Sequence, residues 1–258
     1  MEQRSGDGAA RRTFAVGETV ALGGFQVLST TQEAFAHELF AALAAGQPRR
    51  VLFANTNFVV QCQPLRARLR RLPALRIVND GIGMDLAAQW LHGRRFAGNL
   101  NGTDLVPWLC AHSPQPLRFF LLGGQPGVAE AAAIALQERY GQAVAGTCDG
   151  YAGRAQAGEA LVERINASGA NVLLVAFGNP LQEQWILEHA DRLRVPLVLG
   201  VGALLDFLSG TARRAPDRVR RWRLEWLYRL CHEPRRLLRR YSWELLVFFR
   251  ICWRHRRG

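Results

Sequence analysis

Five short segments of this chain carry side chains whose types and spacing could do chemistry. Asn79-Asp80-Gly81-Ile82-Gly83 follows the apolar run Leu75–Val78. A carboxylate at the C-terminal end of a strand, trailed by glycines that let a substrate approach the backbone, suits a general base; a plain Asp-Gly turn accounts for the same residues. Asn101-Gly102-Thr103-Asp104-Leu105 offers a hydroxyl and an acid, which could equally cap a helix starting near Leu105. Leu121-Leu122-Gly123-Gly124-Gln125-Pro126-Gly127 runs from a strand through glycines into a helix, where bare N–H groups could hold a phosphate or simply form a tight turn. It matches neither GxGxxG nor a Walker motif.

Phe177-Gly178-Asn179-Pro180-Leu181-Gln182-Glu183 reads as a helix start. Asn179 is expected to cap, Pro180 to take the first helical position, and Gln182 and Glu183 to fall in the first turn beside a strand's carboxyl end. The last segment is a basic series: Arg213-Arg214-Ala215-Pro216, Leu224 to Arg229, Glu233-Pro234-Arg235-Arg236 and Arg239-Arg240-Tyr241. Arg236 and Arg239 share a helix face, and Arg229 could join them across Pro234. Converging guanidinium groups suit a diphosphate, and a solvated basic face is the ordinary alternative.

The elements that must position these segments alternate. Strands are expected at Phe25–Leu28, Val51–Asn55, Leu75–Val78, Phe119–Leu122, Val172–Phe177 and Leu197–Val201, several of them unbroken Val/Leu/Phe runs that fit a parallel sheet covered on both faces. Helical patterns lie between, at Thr31–Ala45, Asp85–His92, Val128–Tyr140, Ala157–Ala167 and Leu181–Leu193. That rhythm predicts a Rossmann-like, doubly wound α/β domain over 18–210, after a frayed lead of residues 1–17. From residue 211 the chain turns rich in arginine, tryptophan and leucine, which predicts a basic amphipathic helical appendage over 211–258. Its last stretch, Trp243 to Trp253, is followed by Arg254, His255, Arg256 and Arg257. Tryptophan beside cations favours an interfacial membrane helix over a core-packing one.

Composition narrows the partners. The formal net charge is +12, and all 33 basic residues are arginine. An anionic partner follows, and the planar guanidinium fork suits phosphate and diphosphate. The five cysteines, Cys62, Cys110, Cys148, Cys231 and Cys252, form no CxxC pair and read as buried small hydrophobes in a reducing compartment. The N-terminus lacks a signal peptide's apolar run, and no stretch reaches the roughly 18 apolar residues that span a bilayer, so a cytoplasmic location, peripheral on the membrane's inner face, is expected. A nicotinamide-type oxidoreductase would need a glycine fingerprint followed by an acid, and no segment supplies both. A nucleic-acid-binding protein is disfavoured because the charge sits in a Trp/Leu-rich tail and on no known reader motif.

Together, from about Phe25 to Tyr241, these segments resemble the WecB/TagA/CpsF family of bacterial glycosyltransferases (glycosyltransferase family 26). The specific parts are Asp80-Gly-Ile-Gly, Gly102-Thr-Asp-Leu, Gly178-Asn-Pro-Leu-Gln-Glu and the Arg-Ala-Pro to Glu-Pro-Arg-Arg series. The resemblance implies inverting transfer from a UDP-sugar to an undecaprenyl-diphosphate-linked saccharide, with Asp80 as general base and Gln182 as the active-site glutamine. It implies substrate contacts at Asn55, Thr56, Asn57, Gly81, Gly83, Gly102, Thr103, Asp104 and Glu183. Nucleotide or diphosphate contacts are implied at Gly123, Gly124, Arg214, Arg229, Arg236 and Arg239. No Asp-x-Asp metal motif occurs, so no cofactor and no metal are expected, arginine neutralising the leaving diphosphate instead. Self-association into a homo-oligomer accompanies the resemblance. Two positions depart from it: Asn55 stands at a usual threonine, and Asn99 at a usual arginine, with Arg94 and Arg95 upstream.

Overall fold

A computed structural model describes residues 13–151, 159–212, 214, 216 and 234–256, with the backbone alone over 234–242. A hairpin opens it, β1 (Thr19–Leu22) and β2 (Phe25–Leu28). The chain continues through α1 (Gln32–Ala44), β3 (Arg49–Ala54), α2 (Thr56–Gln61), a 3-10 turn (Gln63–Leu65), α3 (Arg66–Arg71), β4 (Leu75–Asn79), α4 (Ile82–His92) and α5 (Gly102–His112). The second half runs β5 (Arg118–Gly123), α6 (Val128–Tyr140), β6 (Ala143–Cys148), α7 (Glu159–Ala167), β7 (Val172–Ala176), α8 (Leu181–His189), β8 (Leu197–Gly200), α9 (Leu204–Leu208) and α10 (Pro234–Arg254).

The strands form one sheet in the order β1-β2-β4-β3-β8-β7-β5-β6, parallel throughout except for β1. Central strands bury both faces, as their unbroken apolar runs require. Along β3, Val51 and Phe53 face one core while Leu52 and Ala54 face the other. One layer holds α1, α5, α6 and α9; the opposite layer holds α2, α3, α4, α7, α8 and the end of α10. This is the expected doubly wound α/β fold. Because all strands but β1 run the same way, the loops after β3, β4, β5, β7 and β8 gather at one edge, where open sheets of this kind hold ligands.

Two boundaries differ from expectation. Phe14 is buried, its ring 5.7 Å from that of Phe96 and its N–H bonded to Arg95 O at 2.8 Å, so packing begins inside the lead expected to run to Gly17. An aromatic side chain with an apolar pocket open beside it gains roughly 2 kcal/mol by entering it, whatever the polarity of its neighbours. The tail also departs from a pure surface helix: Phe248 and Cys252 are fully buried in the core formed with β1, β2 and α2.

Candidate functional site

The site is built on the turns after β3 and β4. Ala54 pairs with Asn79 in register, so the residues that follow, Asn55 and Asp80, leave the sheet side by side. Asp80 N–H donates to Ala54 O at 2.8 Å, which fixes the turn, and Asn55 Nδ2 donates to Asp80 Oδ2 at 3.2 Å. The other amide atom of Asn55 caps α2, its Oδ1 accepting from Phe58 N–H at 3.0 Å. One side chain therefore starts a helix and orients the candidate base. A threonine could cap in the same way, but it has no amide nitrogen to extend to Asp80.

Glycine lets two helix starts converge here. A Cβ on Gly83 would lie 2.4 Å from Thr56 Cγ2, so any other residue would force the Thr56 side chain or the helix starts to shift. Gly81, at φ +98°, turns the chain from β4 into α4 and donates its N–H to Asn99 Oδ1. Asn99, the second departure from the family pattern, is thus a clamp on the backbone beside Asp80. Asn79, fully buried, completes the clamp: its Nδ2 donates to Gly98 O at 2.9 Å, and its carbonyl accepts from Leu100 N–H at 2.7 Å.

Gly102, Thr103 and Asp104 form the start of α5, but neither Thr103 nor Asp104 caps it. Asn101 does, accepting from Asp104 N–H at 2.8 Å while its Nδ2 donates to Asp104 Oδ2 at 2.8 Å. The helix begins three residues before Leu105 because Asn101 already supplies the acceptor that its first turn needs. Arg214 closes on this turn, with Nη2 2.6 Å from Asp104 Oδ1 and Nη1 donating to Thr103 O at 3.4 Å. Its guanidinium is thereby held at the sheet's carboxyl edge. Arg229 lies outside the described residues, as do the side chains of Arg236 and Arg239, whose backbone belongs to α10.

The glycine turn after β5 is packed rather than open. Gly123, at φ +135°, lies so close to β7 that a Cβ would meet Ala176 O at 2.4 Å. Gly124 N–H donates to Ala176 O at 3.3 Å, and Gly124 O accepts from Gly150 N–H at 2.8 Å. These groups join neighbouring turns, so the turn's closeness to its neighbours is what demands glycine.

The segment after β7 holds the largest difference from expectation. Asn179 does not cap α8. Its Nδ2 donates to Asn57 Oδ1 at 3.3 Å, because α2 sits beside it, and the first turn of α8 closes instead through Gln182 N–H to Gly178 O at 3.0 Å. Gln182 is almost entirely buried and its amide is engaged: Nε2 donates to Glu183 Oε1 at 2.8 Å and to Asn179 Oδ1 at 3.2 Å, while Oε1 accepts from Gly202 N–H at 3.0 Å. Glu183 is fully buried, and burial pushes its carboxyl up to about 7. The chain of amides continues to α10, where Asn57 Nδ2 donates to Glu244 Oε2 at 3.2 Å. Asn79 and Asn101 lie inside two of the candidate segments but were given no role from sequence, and Glu244 was not expected at the site; an asparagine directly before a helical pattern is the signal that could have flagged Asn101.

The cysteines behave as small hydrophobes. Cys62, Cys110, Cys148 and Cys252 are buried free thiols, those of Cys110 and Cys252 pushed up to about 12 by burial, and Cys231 lies outside the described residues.

A parallel, doubly wound sheet with a carboxylate, clustered amides and a guanidinium outside its strand ends is the layout of a Rossmann-like enzyme. The model of the glycosyl transferase WecG/TagA/CpsF family matches residues 20–258, essentially the whole chain. The chain belongs to that family and is a glycosyltransferase. Among the described residues, no helix is long and apolar enough to cross a membrane.

Proposed function

We propose that this glycosyltransferase moves a sugar, with inversion, from a UDP-sugar to an undecaprenyl-diphosphate-linked saccharide in the synthesis of an exopolysaccharide, capsule or cell-wall polymer. The observation that carries this reading is the Asp80 carboxylate, oriented by Asn55 at 3.2 Å and set beside glycine backbone at the sheet's carboxyl edge. Asp80 takes the proton of the acceptor hydroxyl as its oxygen bonds to the anomeric carbon. The bond from that carbon to the diphosphate oxygen breaks on the opposite face, and UDP leaves with the electron pair. Charge grows on the leaving diphosphate, where fixed guanidinium groups act best. Arg214 is held at that edge, and Arg229, Arg236 and Arg239 are assigned the same task from the family pattern. Neutralisation by arginine makes the reaction independent of a metal.

The acceptor's lipid anchor calls for a membrane-facing surface, and α10 supplies a candidate. Its inward stripe carries Glu244, Phe248 and Cys252, while Trp243, Leu246 and Trp253 lie exposed on the opposite side. Trp90 of α4 stacks on Trp253 at 5.3 Å, and Arg256 lies 3.7 Å over the Trp253 ring. Exposed tryptophan and leucine beside arginine is the composition of an interfacial helix on anionic lipid, so the reading is of a peripheral protein on the inner face of the plasma membrane.

The test is a panel of UDP-sugars assayed for UDP release with a lipid-diphosphate-sugar acceptor, in excess chelator, comparing wild type with Asp80→Asn. Removing a general base costs typically about 10²–10⁴-fold in rate. A folded Asp80→Asn protein that keeps wild-type turnover refutes the base assignment, and activity that vanishes with chelator refutes the metal-free mechanism.

A further inference from the structure

The amide chain running from α10 to the end of β8 has a direction, and one hydrogen is missing from it. Gln182 cannot turn over, because its Oε1 holds Gly202 N–H at 3.0 Å, so its Nε2 must face Glu183 and Asn179. Asn57 presents Oδ1 to Asn179 Nδ2, since its own Nδ2 is given to Glu244. Asn179 is then obliged to point its oxygen toward Gln182 and Glu183. That oxygen lies 2.9 Å from Glu183 Oε1, two acceptors in contact. Turning the Asn179 amide over would donate to Glu183 and accept a 3.3 Å approach from Phe58 N–H, which Asn55 already holds at 3.0 Å. It would also place two amide nitrogens 3.2 Å apart, at Asn179 and Gln182, and break the link to Asn57.

We propose that Glu183 is a positioning residue that carries a proton: its carboxyl donates to Asn179 Oδ1, and so sets the amides of Gln182, Asn179 and Asn57 that tie the turn after β7 to α10. With that proton every contact in the chain pairs a donor with an acceptor. When the proton leaves, Asn179 turns toward the carboxylate and gives up Asn57. Two surroundings favour the protonated form. Glu183 is fully buried, and no cation is paired with its carboxyl among the described residues. Hydrogen bonds from Gln182, the backbone and the Cys62 thiol favour the charged form, but burial outweighs them, and a buried carboxyl without a cation binds a proton rather than remain charged. The Cys62 thiol at the end of α2 stands beside it and is itself pushed up by burial and by the carboxyl, so it stays neutral. Among the described residues, Asn57 and Asn179 lie between Glu183 and Glu244 on α10, and Asp80 accepts from Asn55. Burial places the loss of the proton at about 7.

The inference rests on the proposed function only for the location of the site, and its test needs no substrate. Infrared difference spectra of the full-length protein, taken on either side of neutral pH, should show a carboxylic-acid C=O band that disappears as pH rises through about 7. The band should be missing from Glu183→Gln, which has no carboxyl to titrate. Wild-type protein carrying ¹³C-labelled glutamate gives the same answer should that variant fail to fold: one glutamate titrates at about 7. A band that survives in Glu183→Gln, or glutamates that all titrate in the ordinary range near about 4, would overturn the proposal. Failure of the UDP-release assay with a normal Glu183 titration would count against the function alone.

Discussion

Asn55→Asp separates the two tasks of Asn55, because aspartate caps a helix as well as asparagine but cannot donate to Asp80. The start of α2 keeps its acceptor, and the helix dipole favours the new charge. The contact with Asp80, however, changes from a bond at 3.2 Å to two carboxylate oxygens at that distance. At an effective dielectric constant of about 20, like charges so placed repel by about 5 kcal/mol, more than it costs to bind a proton. Holding a carboxyl with an ordinary value near 3.9 in its acid form at neutral pH costs about 4 kcal/mol, so protonation of the pair limits the penalty to roughly 3–4 kcal/mol. The sign follows from linkage: the pair binds its proton more tightly folded than unfolded, so the missing stability returns as pH falls and grows as pH rises. Asn55→Ala has no such dependence. It loses the cap, about 1 kcal/mol, at every pH, and the bond to the Asp80 carboxylate, about another 1–2 kcal/mol, wherever that group is ionised. Urea unfolding at two pH values, one about 5 and one about 8, reads the difference directly as midpoints at constant m-value. Equal midpoint shifts for both variants at both pH values would refute the claim that Asn55 holds Asp80.

Other consequences concern the edges of the site. A double-mutant cycle of Arg214→Ala and Asp104→Ala should give a coupling of about 0.5–1 kcal/mol, reduced because the pair is partly exposed; strictly additive single variants would mean that Arg214 does not dock on α5. Phe248→Ala should destabilise the protein by about 3–5 kcal/mol in urea unfolding, since it empties a fully buried site, and a loss under about 1 kcal/mol would show that α10 does not pack there. Trp243→Ser with Leu246→Ser should leave that unfolding midpoint within about 0.5 kcal/mol while lowering partition onto anionic vesicles, and unchanged partition would contradict a membrane role for the outer stripe.

Much of the fold was legible because a two-sided core leaves a simple trace. Leu52-Phe53-Ala54 and Val172-Leu173-Leu174-Val175 have no polar member, which in a chain punctuated by helical patterns leaves little but a buried parallel strand. The two missed strands are those for which that pressure is weak. β1 is four residues at the sheet's edge with Thr19 exposed, and β6, at the other edge, is mostly half-buried and contains Gly146. Burial on one side only leaves a short segment without a distinctive pattern.

The sequence by itself determined the kinds of residue at the site and their places at strand ends: Asp80 after β4, Asn55 after β3, Gln182 and Glu183 at the start of α8. Tertiary structure alone decided what each one touches. Asn179 looked like a cap and became a bridge because α2 lies beside it, and Asn99 holds Gly81 because the loop before α5 folds back over β4. The tail shows the same division. Aromatic and aliphatic side chains on two sides of one helix announce that something apolar is met, and only the seat beside β1, β2 and α2 decided that Phe248 and Cys252 meet the core while Trp243 and Leu246 do not. Local propensity acts within a turn or two, whereas these partners are brought together across the sheet by its strand order, which depends on the burial of the whole chain at once.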